Sequence, residues 1–186
     1  MALDKCLKPL TCNRCLKGYD YTNDGSYFLT ICVQNMQCVL GEVVNGEMVL
    51  SPYGKIVAET WVWLAEQYDY VSLGVWVVMP NHLHGIVTFG RGGSRTAPTR
   101  TVPPAEKRKP LGRLIGAFKT VSTKKINNLR DTPDVRFWQR DFYEHIIRNE
   151  REYQAIQTYI YNNPMQWQAD KLHPDAPPNQ FNRKLL

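Results

Sequence analysis

Read for its apolar period alone, the chain breaks into short extended runs and three helical ones. Tyr27-Phe28-Leu29-Thr30-Ile31-Cys32-Val33-Gln34-Asn35 is dense in β-branched and aromatic residues and predicts a strand. Residues 39–44 and 47–50 are extended runs on either side of Asn45-Gly46, the dipeptide of a two-residue hairpin turn. Ser51 then reads as an N-cap with Pro52 at the first helical position. The helix predicted from there runs to about Tyr68, with Ile56, Thr60, Trp63 and Leu64 on one face. Val71 to Val78 and Leu83 to Phe89 are two more strands, antiparallel across a tight turn. Helical period returns from Leu111 to about Leu129, where Leu114, Ile115, Phe118, Val121 and Ile126 are apolar and Lys119, Lys124 and Lys125 point out. Phe142 to Ile147 predicts a last strand, and Arg151 to about Asn162 a last helix stopped by Pro164.

Strand, hairpin, helix, strand, strand, helix, strand, helix is the order of an α+β fold: an antiparallel sheet with helices packed mainly on one face. A length of 186 residues suits one domain with a real core. The expected division is an N-terminal arm at 1–18, one domain at 19–169 and a proline-rich, poorly ordered C-terminal tail at 170–186. Within the domain, residues 91–110 combine Gly92-Gly93, Pro98, Pro103-Pro104 and Pro110 with little apolar content, so a flexible basic insertion is expected there. No apolar run approaches the ~20 residues that span a bilayer. With no secretion-type apolar region at the N-terminus, a cytoplasmic, nucleoid-associated protein is expected.

Charge changes this picture more than overall composition does. Between Arg91 and Arg130 eleven basic residues face one acid, Glu106, which makes that stretch +10 and leaves −4 for the rest of a chain whose total is +6. A basic block on a near-neutral body is the footprint of a polyanionic partner. Five cysteines form an odd set (Cys6, Cys12, Cys15, Cys32, Cys38), which favours free thiols. Cys12 and Cys15, with Cys6 upstream, make only part of a zinc site.

The candidate chemistry starts at Met79-Pro80-Asn81-His82-Leu83-His84-Gly85. On a strand, His82 and His84 share one sheet face while Leu83 points to the other. Two adjacent imidazoles are half of a divalent-metal site, or two satisfied structural histidines. The last helix carries Tyr159 and Asn163 at i and i+4, on one face. A tyrosine can act as a covalent nucleophile and an amide oxygen can ligate a hard cation. Tyr161, about 200° around the helix from Tyr159, is the competing tyrosine.

Several blocks together resemble the single-tyrosine, His-hydrophobe-His transposases, and specifically their REP-associated, IS200-like branch. They are Leu16 to Tyr21, Tyr27 to Ile31, Leu50 to Gly54, Met79 to Ile86, Phe137 to Arg148 and Tyr159 to Pro164, in order along most of residues 16–167. The resemblance implies a ferredoxin-like fold and a divalent metal, Mg²⁺ or Mn²⁺, held by His82, His84 and Asn163, with Tyr159 as nucleophile. It implies single-stranded DNA nicked and rejoined near palindromic hairpins through a 5′-phosphotyrosine. Monomer and homodimer both stay open, with a slight lean to the dimer. Arg113, Lys119, Lys124 and Lys125 on the basic helix are then expected to hold phosphates. Trp138, Phe142 and Tyr143 stand equally as base-stacking platforms and as core. Two other functions compete: a DNA-binding descendant that has lost its chemistry, and a zinc hydrolase using His82 and His84, for which His145 is the one distant third histidine before the tail.

Overall fold

The computed structural model describes residues 20, 22–90 and 108–177. The arm at 1–18 with Cys6, Cys12 and Cys15, residues 91–107 of the 91–110 insertion, most of the Leu16–Tyr21 block and the tail beyond 177 lie outside the described residues.

Strands β1 (Gly25–Cys32), β4 (Val71–Val78), β5 (His82–Phe89) and β6 (Tyr143–Ile147) form one antiparallel sheet in the order β4-β5-β1-β6. Helices α1 (Pro52–Gln67) and α2 (Leu111–Leu129) supply the two crossovers, giving the βαββαβ order of a ferredoxin-like domain. Strands β2 (Gly41–Val44) and β3 (Glu47–Leu50) are a separate two-stranded hairpin set between β1 and α1. Helix α3 (Glu150–Asn162) follows β6.

The alternation of β1 decides how the layers stack. Tyr27, Leu29 and Ile31 face α1 and α2 and join the main core with Trp61, Leu64, Leu83, Val87 and Phe118. Phe28 faces the opposite way, into a smaller cluster with Ile86, Ile147, Ile156 and Ile160 beneath α3. Two helices therefore share one face, as the pattern predicts. The third covers the other, and that is the face His82 and His84 occupy.

Local capping follows the sequence. Ser51 Oγ accepts from the Gly54 amide at 3.1 Å and donates to the Val39 carbonyl at 2.7 Å, while Asn149 caps α3 by accepting from the Glu152 amide at 2.9 Å. The buried face of α1 differs by one step from the expected one. Val57 and Trp61 are enclosed beside Thr60 and Leu64, whereas Ile56 and Trp63 are only half-buried. The reason lies across the layer at Gly85, where a Cβ would stand 2.7 Å from the Trp61 ring. A glycine on β5 leaves the hollow that the indole fills, and this rotates the helix.

The segment 133–142 is a loop, and β6 begins at Tyr143, one residue after the expected start. The loop meets β1 through a Val33–Trp138 bridge and a Gln139 amide bond to the Cys32 carbonyl at 2.9 Å. Trp138 is core: it is 2% exposed, and its indole N–H donates to Ser122 Oγ at 2.9 Å. Phe142 packs on the main core and Tyr143 on the smaller cluster, so none of the three is a free stacking platform. The chain after Ala169 is also not a loose tail at its start. Leu172 is 4% exposed in a small cluster with Cys32 and Met36.

Candidate metal and tyrosine site

The first two residues of the site are set by the register of β5. His82 lies opposite Cys32 and His84 opposite Thr30, both on the α3 face, with ring centroids 4.4 Å apart. Asn81, fully buried in the turn before β5, orients the first ring. Its amide nitrogen donates to the carbonyls of Leu172 (2.7 Å) and Met36 (3.3 Å), so its oxygen is left to accept from His82 Nδ1 at 2.7 Å. With the proton on Nδ1, the Nε2 lone pair of His82 faces the site. That Nε2 is buried without a hydrogen-bond partner. His84 Nδ1 pairs with Thr30 Oγ1 at 2.9 Å, which turns its Nε2 the same way.

Both imidazoles are held neutral. Burial, then the neighbouring His84, keeps His82 well below its ordinary 6.5. Burial takes His84 down to about 4 against an opposing pull from the Asp170 carboxylate. Neutral imidazoles are the form that ligates metal, and the Nε2 of His82 has no protein partner to displace.

Helix α3 brings the other half. Phe28 packs edge-on against Tyr159 (6.1 Å) and tilted against His84 (5.3 Å), fixing the two rings against each other. The Tyr159 hydroxyl stands 3.3 Å from His84 Nε2. Burial and the Asp170 charge push the phenol above its ordinary value, with the Asn163 amide pulling the other way, so it stays protonated at neutral pH. Tyr161 is 77% exposed and faces away from the histidines. Asn163 is 2% exposed. Its nitrogen donates to Asp170 Oδ2 at 3.0 Å, and its oxygen is buried without a partner.

Asp170 is the residue that sequence reasoning missed. It follows the 3-10 turn Pro164–Ala169, and its ligand atom lies with those of His82 and His84 in a group whose members are all within 4.8 Å of one another. No periodic pattern announces it, because the turn after α3, not a helical face, carries it there. The donor set fits a divalent cation: two neutral imidazoles, a carboxylate, and an amide oxygen that no protein group satisfies. His145 is elsewhere, paired with Glu152 at 2.7 Å.

Of the four cations expected to meet phosphate, Arg113, Lys124 and Lys125 are exposed on α2. Lys119 is turned inward. Its ammonium donates to the carbonyls of Gln139 (2.9 Å), Arg140 (3.2 Å) and Asp141 (3.0 Å), which uses three donors. It braces the loop against the helix. Between them runs a groove of about 660 Å³ whose lining includes Lys124, Arg136 and Arg140. The loop beside this groove is tied to Cys32, the residue opposite His82, so groove and histidines share one end of the sheet.

No protein-family model matches the chain. It is 36% identical over 166 residues to an uncharacterized protein of Haemophilus influenzae, covering 86% of this chain and 91% of that one. It is 24% identical over 165 residues to a REP-associated tyrosine transposase of Escherichia coli K12, covering 89% of this chain and 81% of the relative. Among solved structures, a REP-associated tyrosine transposase bound to a REP hairpin superposes with a TM-score of 0.50 at 22% identity, covering 87% of this chain and 79% of that one. The fold is shared.

Proposed function

The chain belongs to the REP-associated tyrosine transposases, and from that premise we propose that it nicks and rejoins single-stranded DNA beside palindromic hairpins, with Tyr159 as nucleophile. The observation that carries the reading is the convergence of Tyr159, His82, His84 and Asn163 on one buried point, with two of their polar atoms unpartnered there. That a relative binds a REP hairpin supports a hairpin as the DNA partner.

His82, His84 and Asn163 would hold the ion. Mg²⁺ or Mn²⁺ bound there would polarise the scissile phosphate and offset charge growing on its oxygens. The chain's own part is nucleophile and positioning. Tyr159 Oη attacks phosphorus, the Oη–P bond forms as the P–O3′ bond breaks, and the DNA is left as a 5′-phosphotyrosine and a free 3′-hydroxyl. The phenol gives up one proton and the leaving oxygen gains one, so the step is balanced and reversible. Reversal onto another 3′-hydroxyl is strand transfer. Burial holds the phenol protonated in the metal-free protein, so the step includes removal of its proton. Phe28 and Asn163 keep the hydroxyl aimed. Arg113, Lys124 and Lys125, together with the groove-lining Arg136 and Arg140, lead the DNA backbone to this end of the sheet.

The test is incubation of labelled hairpin-bearing single strands with Mn²⁺, followed by a denaturing gel. The expected result is label trapped covalently on protein by the wild type and by Tyr161→Phe, and none by Tyr159→Phe or His82→Ala. An adduct that survives Tyr159→Phe contradicts the assignment. Salt-sensitive hairpin binding without any adduct favours the descendant that has lost its chemistry.

A further inference from the structure

We propose that Asp170 is itself a ligand of the ion, so that the centre consists of two imidazoles, an amide oxygen and a carboxylate instead of the neutral trio His82, His84 and Asn163. The inference rests on the reading above that a divalent ion binds here.

The geometry supplies the first argument. Donor atoms about 2.0–2.2 Å from a common ion are at most roughly 4.4 Å apart. The ligand atoms of His82, His84 and Asp170 already lie within 4.8 Å of one another, so inward shifts of roughly 0.6 Å each bring all three to bonding distance of one ion.

Lone-pair counting supplies the second. Asp170 Oδ1 accepts from the Leu172 amide at 2.6 Å and Oδ2 from Asn163 Nδ2 at 3.0 Å. An ionised carboxylate offers about four acceptor sites, so each oxygen retains one. Both hydrogen bonds orient the group without exhausting it, as supporting bonds do around metal ligands.

Charge is the third. A site closed enough to bury both histidines strips much of the water from an ion, and three neutral ligands leave its full double charge uncompensated. One carboxylate halves it. No other carboxylate joins this cluster among the described residues.

The competing role is purely positional. Asp170 could hold the Asn163 amide in orientation while its Oδ1 makes the common turn onto Leu172. A double-mutant cycle separates the two, because a residue acting only through Asn163 has no effect once Asn163 is gone. Mn²⁺ binding is measured by titration calorimetry on DNA-free wild type, Asp170→Asn, Asn163→Ala, the double variant and His82→Ala. Thermal denaturation in EDTA checks each fold. Asparagine keeps an oxygen for the Leu172 amide, and Asp170→Ser does the same on a shorter side chain if the first variant does not fold.

The expected result is a loss of Mn²⁺ affinity of about tenfold or more in Asp170→Asn, with a similar further loss when it is added to Asn163→Ala. A double variant that binds like Asn163→Ala makes Asp170 a positioning residue and overturns the proposal. Wild-type affinity in Asp170→Asn overturns it as well, while binding that is still lost in His82→Ala leaves the metal centre standing. A wild type that takes up no Mn²⁺, or binding unaffected by His82→Ala, brings down both the proposal and the metal-dependent reading beneath it.

Discussion

At the scale of single residues, Asn81 carries more than its place in a turn suggests. One buried amide accepts from His82 and donates to carbonyls 45 and 91 positions away along the chain. Asn81→Ala leaves these groups unpaired in the interior. Stability should fall by about 2–3 kcal/mol, the cost of stranding buried polar atoms. Mn²⁺ affinity should drop roughly 10–100-fold, as when a partner behind a metal ligand is removed. Urea unfolding and the same metal titration measure both, and unchanged affinity would show that His82 needs no such support. The shared face of His82 and His84 and the i, i+4 spacing of Tyr159 and Asn163 were legible in the strand and helix periods, whereas the preference for Tyr159 over Tyr161 came from the resemblance. Asp170 was not legible. It reaches the site through a 3-10 turn and a reversal of the chain that no period encodes, and a proline-rich neighbourhood disguised it as tail.

At the scale of elements, the pattern found most boundaries to within two residues, but the strand expected to run to Asn35 ends at Cys32, where a 3-10 turn over Gln34–Met36 takes over. Helix α2 begins and ends where its apolar period does, and α1 starts at the Ser51-Pro52 cap. What it could not find was the azimuth of α1, because that depends on a residue in another layer. Gly85 reads in one dimension as the end of a histidine motif, yet on the sheet it is a socket for Trp61. A methyl group there meets a fully buried ring that also packs edge-on against Phe118 at 5.3 Å. Gly85→Ala should therefore cost about 1–3 kcal/mol by overpacking. The urea midpoint reports it, and a midpoint equal to wild type would mean that the indole has room to move. The fate of Trp138 illustrates the same limit. Its aromatic run suited a base platform or a core equally, and the Ser122 hydroxyl across α2 decided for core.

At the scale of the whole molecule, the sheet keeps its large core on one face and its buried histidine pair under α3 on the other, so acid acts on the fold through that pair. The folded protein holds His82 and His84 unprotonated below the ordinary histidine range, whereas the unfolded chain takes up protons from about pH 6.5 downward. The unfolded state then binds more protons, so stability is full above that pH and declines as pH falls from 6.5 towards 4. Urea midpoints in EDTA at pH 7.5, 6 and 5 should decrease in that order, and equal midpoints would contradict the burial of the pair. The bond from Asn81 to Leu172 has a consequence in time as well as in space. During synthesis the sheet strands β1, β4 and β5 emerge early, but the clasp that holds His82 waits for residue 172, and the tyrosine and carboxylate also arrive late. A growing chain can thus have most of its architecture before it has a completed centre. His82 is therefore clasped, and joined by Asp170, only after every described strand and α-helix has been made.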